Sequence, residues 1–437
     1  MNELELKAHF ASITHPADIT EYLEDVPIAE WPKLLNLIED REKRAKVVAE
    51  IDESRWKDLL SEFSPAEVAE LIEEMESDDA ADVIAKIPLP LRYEVLYRLP
   101  KEQRHQVLEL LGYPEDSAGG IMQVELVRVP QNALVSDAIQ RVRELVEDDV
   151  QVLAVWVVDK EDRLVGSIEL ADLLIHKSTR PIRDLMTKDV VCVKPLVDQR
   201  EVGELFKKYD LLTLPVVDDE NHLIGRISVD DVVDVLSEEA EEDTLRMAGT
   251  SPEELAYPTQ VFSIARVRLP WLGVALFCSL ISASLLTFFE PLLEQMAVIY
   301  AFLPVIMAMG GNVGIQSSTI LIRSLASRKT DLREIPQVLF KEIRVGLIMG
   351  LFYGLCAGSV ATFILSKQNY ALGGMVFISM IFAMITAAAL GVLAPTLLQK
   401  LGVDPAIATG PFVTTLNDIT GILVYVSTAR FFMTALV

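Results

Sequence analysis

Cysteine and histidine are scarce in this sequence, which holds three cysteines and five histidines among 437 residues. Cys192, Cys278 and Cys356 are far apart and lack the spacing of metal ligands, so we expect neither a disulfide framework nor a zinc site. The sequence contains no phosphate-binding glycine loop and no nucleophile with an adjacent base, which argues against an enzyme. The N-terminus has no basic region followed by an apolar core, so we expect no cleavable signal peptide.

Long apolar runs are confined to the region from residue 265 onward. Five runs reach the roughly 20 residues that a helix needs to cross a bilayer. They are Leu269–Phe289, Met296–Ile322, Val345–Leu365, Ala371–Leu398 and Ala406–Phe432. We therefore predict a membrane domain of five helices at residues 265–437, preceded by a water-exposed part.

The preceding residues are strongly acidic. Of the 39 Lys and Arg and 65 Asp and Glu in the chain, 28 and 58 lie in residues 1–264, which leaves that part a net charge of −30. Such a surface disfavours nucleic acid as a partner and favours cations. Solubility is the ordinary explanation for such charge, but the predicted membrane domain beside it makes cation binding a second explanation.

Basic residues near the predicted spans indicate the orientation, because Lys and Arg mark the cytoplasmic side. Arg266 and Arg268 precede the first span, whereas the loop after it offers only Glu290 and Glu294. The loop between spans two and three holds six basic residues, namely Arg323, Arg328, Lys329, Arg333, Lys341 and Arg344. We expect a multi-pass protein of the cell membrane with a cytoplasmic N-terminus and an extracytoplasmic C-terminus, although Arg430 argues weakly against this.

Residues 1–115 combine apolar positions at helical spacing with frequent prolines, which predicts an all-α N-domain of short stacked helices. Ser64-Pro65-Ala66-Glu67 matches a capping box. The acidic segment Ser77–Asp82 falls where another helix should begin. Its aspartates can serve the helix dipole or bind a metal, and the sequence leaves both explanations open.

An internal repeat follows, in which residues 157–168 recur as residues 216–227. The pattern predicts two βαββα units, and it resembles a tandem pair of CBS domains at residues 118–180 and 181–240. That family's pattern for adenine nucleotides is matched by Gly225, Ser228 and Asp231 in the second copy. In the first copy Glu169 stands where Ser or Thr belongs, so the resemblance implies at most one site for ATP.

Residues 230–243 are acidic and continue at helical spacing toward the first span. Like charges at i and i+4 destabilise a helix by a few tenths of a kcal/mol per pair, so we expect positive charge beside this segment. A solvated linker helix is the alternative. We predict that a long connecting helix occupies residues 241–264.

The second and fifth predicted spans contain polar groups that are costly in lipid. Asn312 and Gln316 lie in span two, and Thr414, Asn417 and Asp418 lie in span five. Asp418 is the only acidic residue that we place well inside a span, where it costs at least about 2.5 kcal/mol and is therefore a functional candidate. A carboxylate that leaves water around the ion suits Mg²⁺. Polar packing between helices is the alternative explanation for Asn312 and Gln316.

The order of these parts and three motifs resemble the MgtE family of magnesium channels over nearly the whole chain. The motifs are Gly310-Gly311-Asn312 with Gln316-Ser317-Ser318, Asp404-Pro405, and Asn417-Asp418 with Thr420-Gly421. The resemblance implies a multidomain membrane protein with a superhelical N-domain, α/β tandem CBS domains, a connecting helix that plugs a pore, and a transmembrane domain of five helices.

The resemblance further implies a homodimeric magnesium-selective channel that cytosolic Mg²⁺ closes. The implied pore residues are Asp418, Asn417, Thr414, Asp404, Asn312 and Gln316, with Asp404 at the inner entrance. The implied sensing residues are Asp78, Asp82, Asp198, Asp210, Asp231, Asp234, Glu239, Glu242 and Asp243. Arg200 stands where family members can carry another acid, which implies a weaker sensing site there.

Two alternatives stay open at this point. One is a transporter with broader selectivity, including Co²⁺, Mn²⁺ and Ni²⁺, because coordination geometry and hydration decide selectivity. The other is a membrane-anchored metal sensor that transports nothing, although a simple anchor needs no Asp418. An exporter with a CBS pair fits less well, because such exporters place their spans before the CBS domains.

Overall fold

The computed structural model describes residues 3–147, 151–250, 261–293, 300–326, 332–365, 370–403, 405 and 410–436. The chain divides into two compact units, residues 1–239 and residues 240–437. The first unit begins with helices and continues with two small sheets and their helices, and the second is helical.

Short helices form the first part of the first unit. They are α1 Glu3–Ser12, α2 Pro16–Glu24, α3 Trp31–Leu35, α4 Arg41–Ala49, α5 Glu53–Leu60, α6 Pro65–Glu73, α7 Ser77–Lys86, α8 Leu89–Arg98 and α9 Lys101–Leu110. Helix α6 starts with the predicted capping box, in which Ser64 Oγ accepts from Glu67 N (3.3 Å) and Glu67 Oε2 accepts from Ser64 N (2.8 Å). The prediction of a helical N-domain is confirmed.

The repeat forms two related α/β parts. The first contains β1 Val127–Pro130, α10 Val135–Glu147, β2 Ala154–Val158, β3 Leu164–Glu169 and α11 Leu170–Ile175, with β1 parallel and β3 antiparallel to β2. The second contains α12 Gln199–Tyr209, the antiparallel pair β4 Thr213–Val217 and β5 Leu223–Ser228, and α13 Val229–Ala248. The predicted first strand of the second copy is reduced to one bridge between Val193 and Val216.

Two glycines at equivalent places in the repeats lie against methionines. A Cβ atom on Gly166 would lie 2.9 Å from Met186 Sδ, and one on Gly225 would lie 2.7 Å from Met122 Sδ. Main-chain oxygens, which cannot move aside as a methionine side chain can, lie almost as close, with Thr187 O at 2.9 Å and Gln123 O at 3.0 Å, so a side chain at either position would press on backbone. Gly225 therefore has a structural role apart from any nucleotide.

The acidic connecting helix differs from the prediction of residues 241–264. Helix α13 begins at Val229, directly after strand β5, and ends at Ala248. Its first turn is capped, because Asp231 Oδ2 accepts from Ser228 N (3.3 Å), and Gly249 follows its last residue with φ +81°. The acidic residues thus continue the second repeat as one helix, and the next described helix starts at Val261.

Five helices make up most of the second unit. They are α14 Val261–Leu293, α15 Leu303–Ala326, α16 Ile335–Val360, α17 Tyr370–Lys400 and α18 Pro411–Leu436. Within the described ranges, α14 to α17 are long and apolar enough to cross a membrane. Helix α18 takes the place of the predicted fifth span and packs against α14, α15 and α17. A fifth pass and the orientation of the termini stay predictions.

Glycines let α16 lie very close to α17. They recur at every fourth position and are buried, namely Gly346, Gly350, Gly354 and Gly358. A Cβ atom on Gly350 would lie 2.7 Å from Ile381 Cα, and one on Gly358 would lie 2.7 Å from Gly373 O. Small residues at this spacing allow helix backbones to approach in a membrane, where packing rather than water exclusion drives association.

Candidate cation sites

Two acidic helix starts meet inside the first unit. Asp78 and Asp79 lie in the first turn of α7, and Asp230 and Asp231 lie in the first turn of α13. Carboxylates are favourable at a helix N-terminus, which explains each pair locally. Together with Glu76, these residues form what we call the carboxylate cluster.

A short segment before β1 holds the two helix starts together. Ser77 Oγ donates to Glu125 Oε2 (2.7 Å) and accepts from Val124 N (3.0 Å). Gln123 Nε2 donates to Asp231 Oδ2 (3.3 Å), which joins the same segment to the start of α13. The folded chain thus brings Asp78 and Asp231 together, although they are more than 150 positions apart in the sequence.

The carboxylate cluster lacks enough positive charge for its burial. Burial raises the pKa of Asp78 well above its usual range, and the charges of Asp231 and Asp79 raise it further. Burial raises the pKa of Asp79 to about 7, helped by Glu76. Burial also raises the pKa of Asp231 to about 6, although its hydrogen bond from Ser228 opposes the change. These groups need either protons or a bound cation.

Two buried oxygens, one in the carboxylate cluster and one on the adjoining Gln123, have no hydrogen-bond partner among the described residues. They are Asp78 Oδ1 and Gln123 Oε1, on side chains that are 6% and 3% exposed. A buried oxygen without a donor is costly, and a carboxylate costs more than an amide. Oxygen atoms of this kind are the ligands that Mg²⁺ prefers, so the cluster can hold a magnesium ion.

A second group of acids lies at the other end of α7. Burial raises the pKa of Asp82 to about 8, and the charges of Glu53 and Asp79 add to the effect. Burial and the charge of Glu53 likewise raise the pKa of Glu238 on α13. Lys86 partly compensates, since its Nζ lies 3.0 Å from Glu53 Oε2.

Sequence reasoning missed Glu50, Glu53, Glu76 and Glu238. Burial raises the pKa of Glu50, and the charge of Asp234 contributes. For Glu238 a signal existed, because it lies four positions after Asp234 on the same helix. For Glu50 and Glu53 no local pattern pointed to a site, since only the folded chain brings them near α13.

The remaining sensing candidates do not all join the carboxylate cluster. Asp198 is exposed and caps α12, with Oδ1 accepting from Arg200 N (2.8 Å). Asp210 is exposed and ends α12 in the left-handed region at φ +51°. Burial and the charge of Asp230 raise the pKa of Asp234. In the single chain, Asp198 and Asp210 thus have capping roles.

The later acids of α13 have positive or polar partners. Glu239 forms an ion pair with Arg200, and its Oε1 accepts from Gln199 Nε2 (3.0 Å). Glu242 forms an ion pair with Arg246 one turn further along the helix. Asp243 is half-buried on the same helix and also interacts with a neighbour. The positive charge expected beside this acidic segment is therefore partly supplied by arginine.

Two of the three predicted nucleotide residues, Ser228 and Asp231, contact each other. Ser228 Oγ donates to Asp231 Oδ2, and Ser228 is 2% exposed. Gly225 packs against Met122, as described above. The hydroxyl and the carboxylate that a nucleotide would need are thus engaged with each other at the start of α13.

In the second unit, the predicted pore helices lie side by side. Asn417 of α18 is 3% exposed, and its Nδ2 lies 3.5 Å from Gly310 O of α15. A Cβ atom on Gly314 would lie 1.9 Å from that same Nδ2, so any larger residue there would displace the Asn417 amide. Asn417 Oδ1 has no hydrogen-bond partner among the described residues. Asp418 follows it and is half-buried.

The other pore candidates differ in exposure. Asn312 and Gln316 of α15 are exposed on the single chain. Thr414 is half-buried, and its Oγ1 donates to Gly410 O (3.3 Å). A Cβ atom on Gly410 would lie 2.9 Å from Met247 O, so the end of α13 reaches the start of α18. Asp404 lies outside the described residues.

Glu342 corrects the expectation that Asp418 is the only acid well inside a span. Helix α16 starts at Ile335, ten residues before the predicted span, and so includes Glu342. This side chain is 5% exposed, and its Oε2 accepts from Ser317 Oγ (2.8 Å). The basic neighbours Lys341 and Arg344 had indicated a loop, which is why the sequence did not single it out.

Three family models match the chain. The model for divalent cation transporters of the MgtE type matches residues 303–428, and the model for the MgtE intracellular N domain matches residues 14–116. The CBS domain model matches residues 118–178 and 182–238. The predicted CBS pair is thereby confirmed.

Proteins similar to this chain include named transporters. The magnesium transporter MgtE of Bacillus subtilis is 36% identical over 328 residues, which cover 75% of this chain and 72% of the relative. The magnesium transporter MgtE of Thermus thermophilus is 37% identical over 335 residues, with the same coverage. A crystal structure of the cytosolic domain of the Mg²⁺ channel MgtE in complex with ATP matches with a TM-score of 0.50 and 30% identity. The matched region covers 52% of this chain and 93% of the chain in that crystal structure.

Proposed function

The chain belongs to the MgtE family of magnesium transporters, and on that premise we propose that it conducts Mg²⁺ across a membrane and closes when Mg²⁺ binds its acidic first unit. Relatives named as magnesium transporters support the transported ion. The observation that carries the closing mechanism is the carboxylate cluster, in which acids of α7 and α13 meet and the buried Asp78 Oδ1 has no hydrogen-bond partner in the described part of the chain.

The proposed pathway uses α15 and α18. Asp418 would hold a hydrated Mg²⁺, and the buried amide of Asn417 would fix the position of α18 against α15. Asn312 and Gln316 are polar and exposed on a helix that is long and apolar enough to cross a membrane, which is costly in lipid. We propose that a second copy of the chain covers them, so that the pore lies on the axis of a homodimer.

The proposed closing mechanism is electrostatic. Without Mg²⁺, the carboxylates of α7 and α13 repel, and the start of α13 can separate from α7. With Mg²⁺ between Asp78 and Asp231, the repulsion is replaced by bridging. Because the other end of α13 reaches Gly410 at the start of α18, a change in α13 can reach the mouth of the pore. Mg²⁺ shifts this equilibrium only as far as the closed state binds it more tightly.

Measuring Mg²⁺ flux into proteoliposomes tests the proposal, with the Mg²⁺ concentration varied on the side of the membrane that carries the first unit. We expect flux in the native protein that falls as this Mg²⁺ rises, and little flux with Asp418→Asn. Ser427→Ala, an exposed position on the same helix, is the matched control and should behave like the native protein. No flux at any Mg²⁺ concentration from folded protein would favour a membrane-anchored sensor instead.

The breadth of selectivity is decided by the same assay with Co²⁺, Mn²⁺ and Ni²⁺ as competitors. A protein that leaves water around the ion selects by size and hydration, so we propose that Mg²⁺ is preferred. Equal flux of the other ions would establish the broader divalent cation transporter.

We also propose that ATP can bind the second repeat, supported by the ATP complex of the similar cytosolic domain. Binding there requires Ser228 and Asp231 to release each other, so it should compete with the closed arrangement. Calorimetry with ATP on native protein and on Ser228→Ala tests this. Equal affinity of the two would refute a role for that hydroxyl.

A further inference from the structure

The turn between β4 and β5 has a counterpart in the first repeat, and the two turns have the same backbone form. In the first, Asp159 Oδ1 accepts from Arg163 N (3.0 Å), and in the second, Asp218 Oδ1 accepts from His222 N (2.7 Å). Each turn also has one left-handed residue, Asp162 at φ +63° in the first and Asn221 at φ +70° in the second. Because the two turns share one backbone conformation, their chemical differences come from their side chains.

The side chains give the two turns different chemistry. In the first turn the Arg163 guanidinium lies 3.0 Å from Glu161 Oε2, so a cation built into the chain neutralises the acid. In the second turn the equivalent residue is His222, whose Nδ1 lies 2.8 Å from Asp218 Oδ2. Ligand atoms of Asp218, Glu220 and His222 all lie within 4.8 Å of one another.

This spacing suits a metal ion. Two ligands at right angles and about 2.1 Å from one ion lie about 3 Å apart, which is close to the separation of His222 Nδ1 and Asp218 Oδ2. The side chains of His222 and Asp218 are 37% and 33% exposed, so an ion can enter and water can complete its shell. Nearby Lys194 donates to the main-chain oxygen of Asp218 and not to its carboxylate.

We propose that the β4–β5 turn binds one transition-metal dication of the Co²⁺, Ni²⁺ or Zn²⁺ class through Asp218, Glu220 and His222. Imidazole together with carboxylate suits these ions, whereas Mg²⁺ prefers oxygen ligands alone. The site is therefore separate in position and in chemistry from the carboxylate cluster.

A metal here would act on the junction of the two repeats. The turns pair with each other, since Leu164 N donates to Asn221 O (2.9 Å) and Leu223 N donates to Asp162 O (3.3 Å). Fixing Asp218, Glu220 and His222 around an ion would make the second turn rigid where it contacts the first. The ion would thereby hold the two repeats in one relative arrangement.

Titration of Co²⁺ into the full-length protein in detergent tests the proposal, with excess Mg²⁺ present to occupy sites made only of oxygen. Calorimetry gives the stoichiometry, and the visible absorption of Co²⁺ reports its ligands. We expect one Co²⁺ per chain. His222→Arg installs the residue of the first turn and should weaken binding at least about tenfold, since even an outer-shell change costs about 10-fold to 100-fold.

A second variant and a matched control keep the test decisive. Glu220→Gln changes an exposed side chain, so we expect the fold to stay intact, and it should also weaken Co²⁺ binding. Glu161→Gln makes the same change in the first turn and should leave binding as in the native protein. Native affinity in both His222→Arg and Glu220→Gln would overturn the proposal, as would an equal loss in Glu161→Gln.

Discussion

Replacing Asp79 by asparagine should stabilise the first unit when Mg²⁺ is absent. Burial and neighbouring carboxylates raise the pKa of Asp79 from 3.8 to about 7. A pKa difference of 1 corresponds to about 1.36 kcal/mol, so ionising the Asp79 carboxyl in the folded protein costs at most about 4 kcal/mol. Because the acids of the cluster share protons, we expect about half of that, or about 2 kcal/mol, as the gain from Asp79→Asn at pH 8.

The same shift fixes the direction of the pH dependence. A carboxyl group whose pKa is higher in the folded protein binds protons more tightly there. Its contribution to the stability of the folded protein is therefore most favourable below about pH 4. Stability is then lost as the pH rises through about 7, the folded value for Asp79. The metal-free native protein should therefore melt at a lower temperature at pH 8 than at pH 5, and Asp79→Asn should show a smaller difference.

Tryptophan fluorescence during heating is a suitable assay. Three of the four tryptophans, Trp31, Trp56 and Trp156, are buried in the first unit. A gain of about 2 kcal/mol corresponds to about 4–8 °C for a unit of this size. Asp58→Asn, an exposed position on α5, is the control.

Mg²⁺ should also raise the free energy of unfolding of the first unit. Saturation at about 100 times its dissociation constant would add about 2.7 kcal/mol to the native protein, and less to Asp79→Asn. A lower melting temperature for Asp79→Asn without metal, or a melting temperature of the native protein that rises with pH, would refute the electrostatic reasoning.

Two further predictions concern other parts of the chain. Gly350→Leu should disrupt the contact of α16 with α17 and lower the melting temperature of the second unit, because a Cβ atom at position 350 would lie 2.7 Å from the backbone of α17. The control is Gly273→Leu, which should cause little change, because a Cβ atom at position 273 would have no atom within 4 Å among the described residues. Arg200→Ala should remove the cation beside Glu239. We expect residues 1–239 to become less resistant to protease at low Mg²⁺, and added Mg²⁺ to restore the resistance. Resistance equal to that of the native protein would contradict a role for this ion pair.

Much of the fold was predictable because its signals are local. The capping box at Ser64, the repeat and the apolar runs each depend on residues close in sequence. The capping box and the CBS pair are confirmed, and four of the predicted spans correspond to helices that are long and apolar enough to cross a membrane, whereas the fifth pass stays a prediction. Boundaries were less predictable. Lys341 and Arg344 indicated a loop, yet α16 already includes them, so Glu342 lies in a helix and not in a loop.

The candidate sites divide in the same way. Asp78, Asp231 and Asp418 could be selected as candidates from local context and family resemblance, and their roles stay proposals. Nothing local distinguished them from Asp198 and Asp210, whose side chains are exposed in the folded chain. Glu50 and Glu53 could not be found at all, because charge repulsion between distant segments leaves no pattern in either segment.

The sequence by itself determined the order of the parts, the family, and the kinds of secondary structure, because these follow from run lengths, spacing and turn residues. Only the tertiary structure decided which carboxylates meet, since burial and Coulomb energy depend on distance in space. It also decided why glycine suits position 314, because a Cβ atom there would meet the amide of Asn417, about one hundred residues away on another helix.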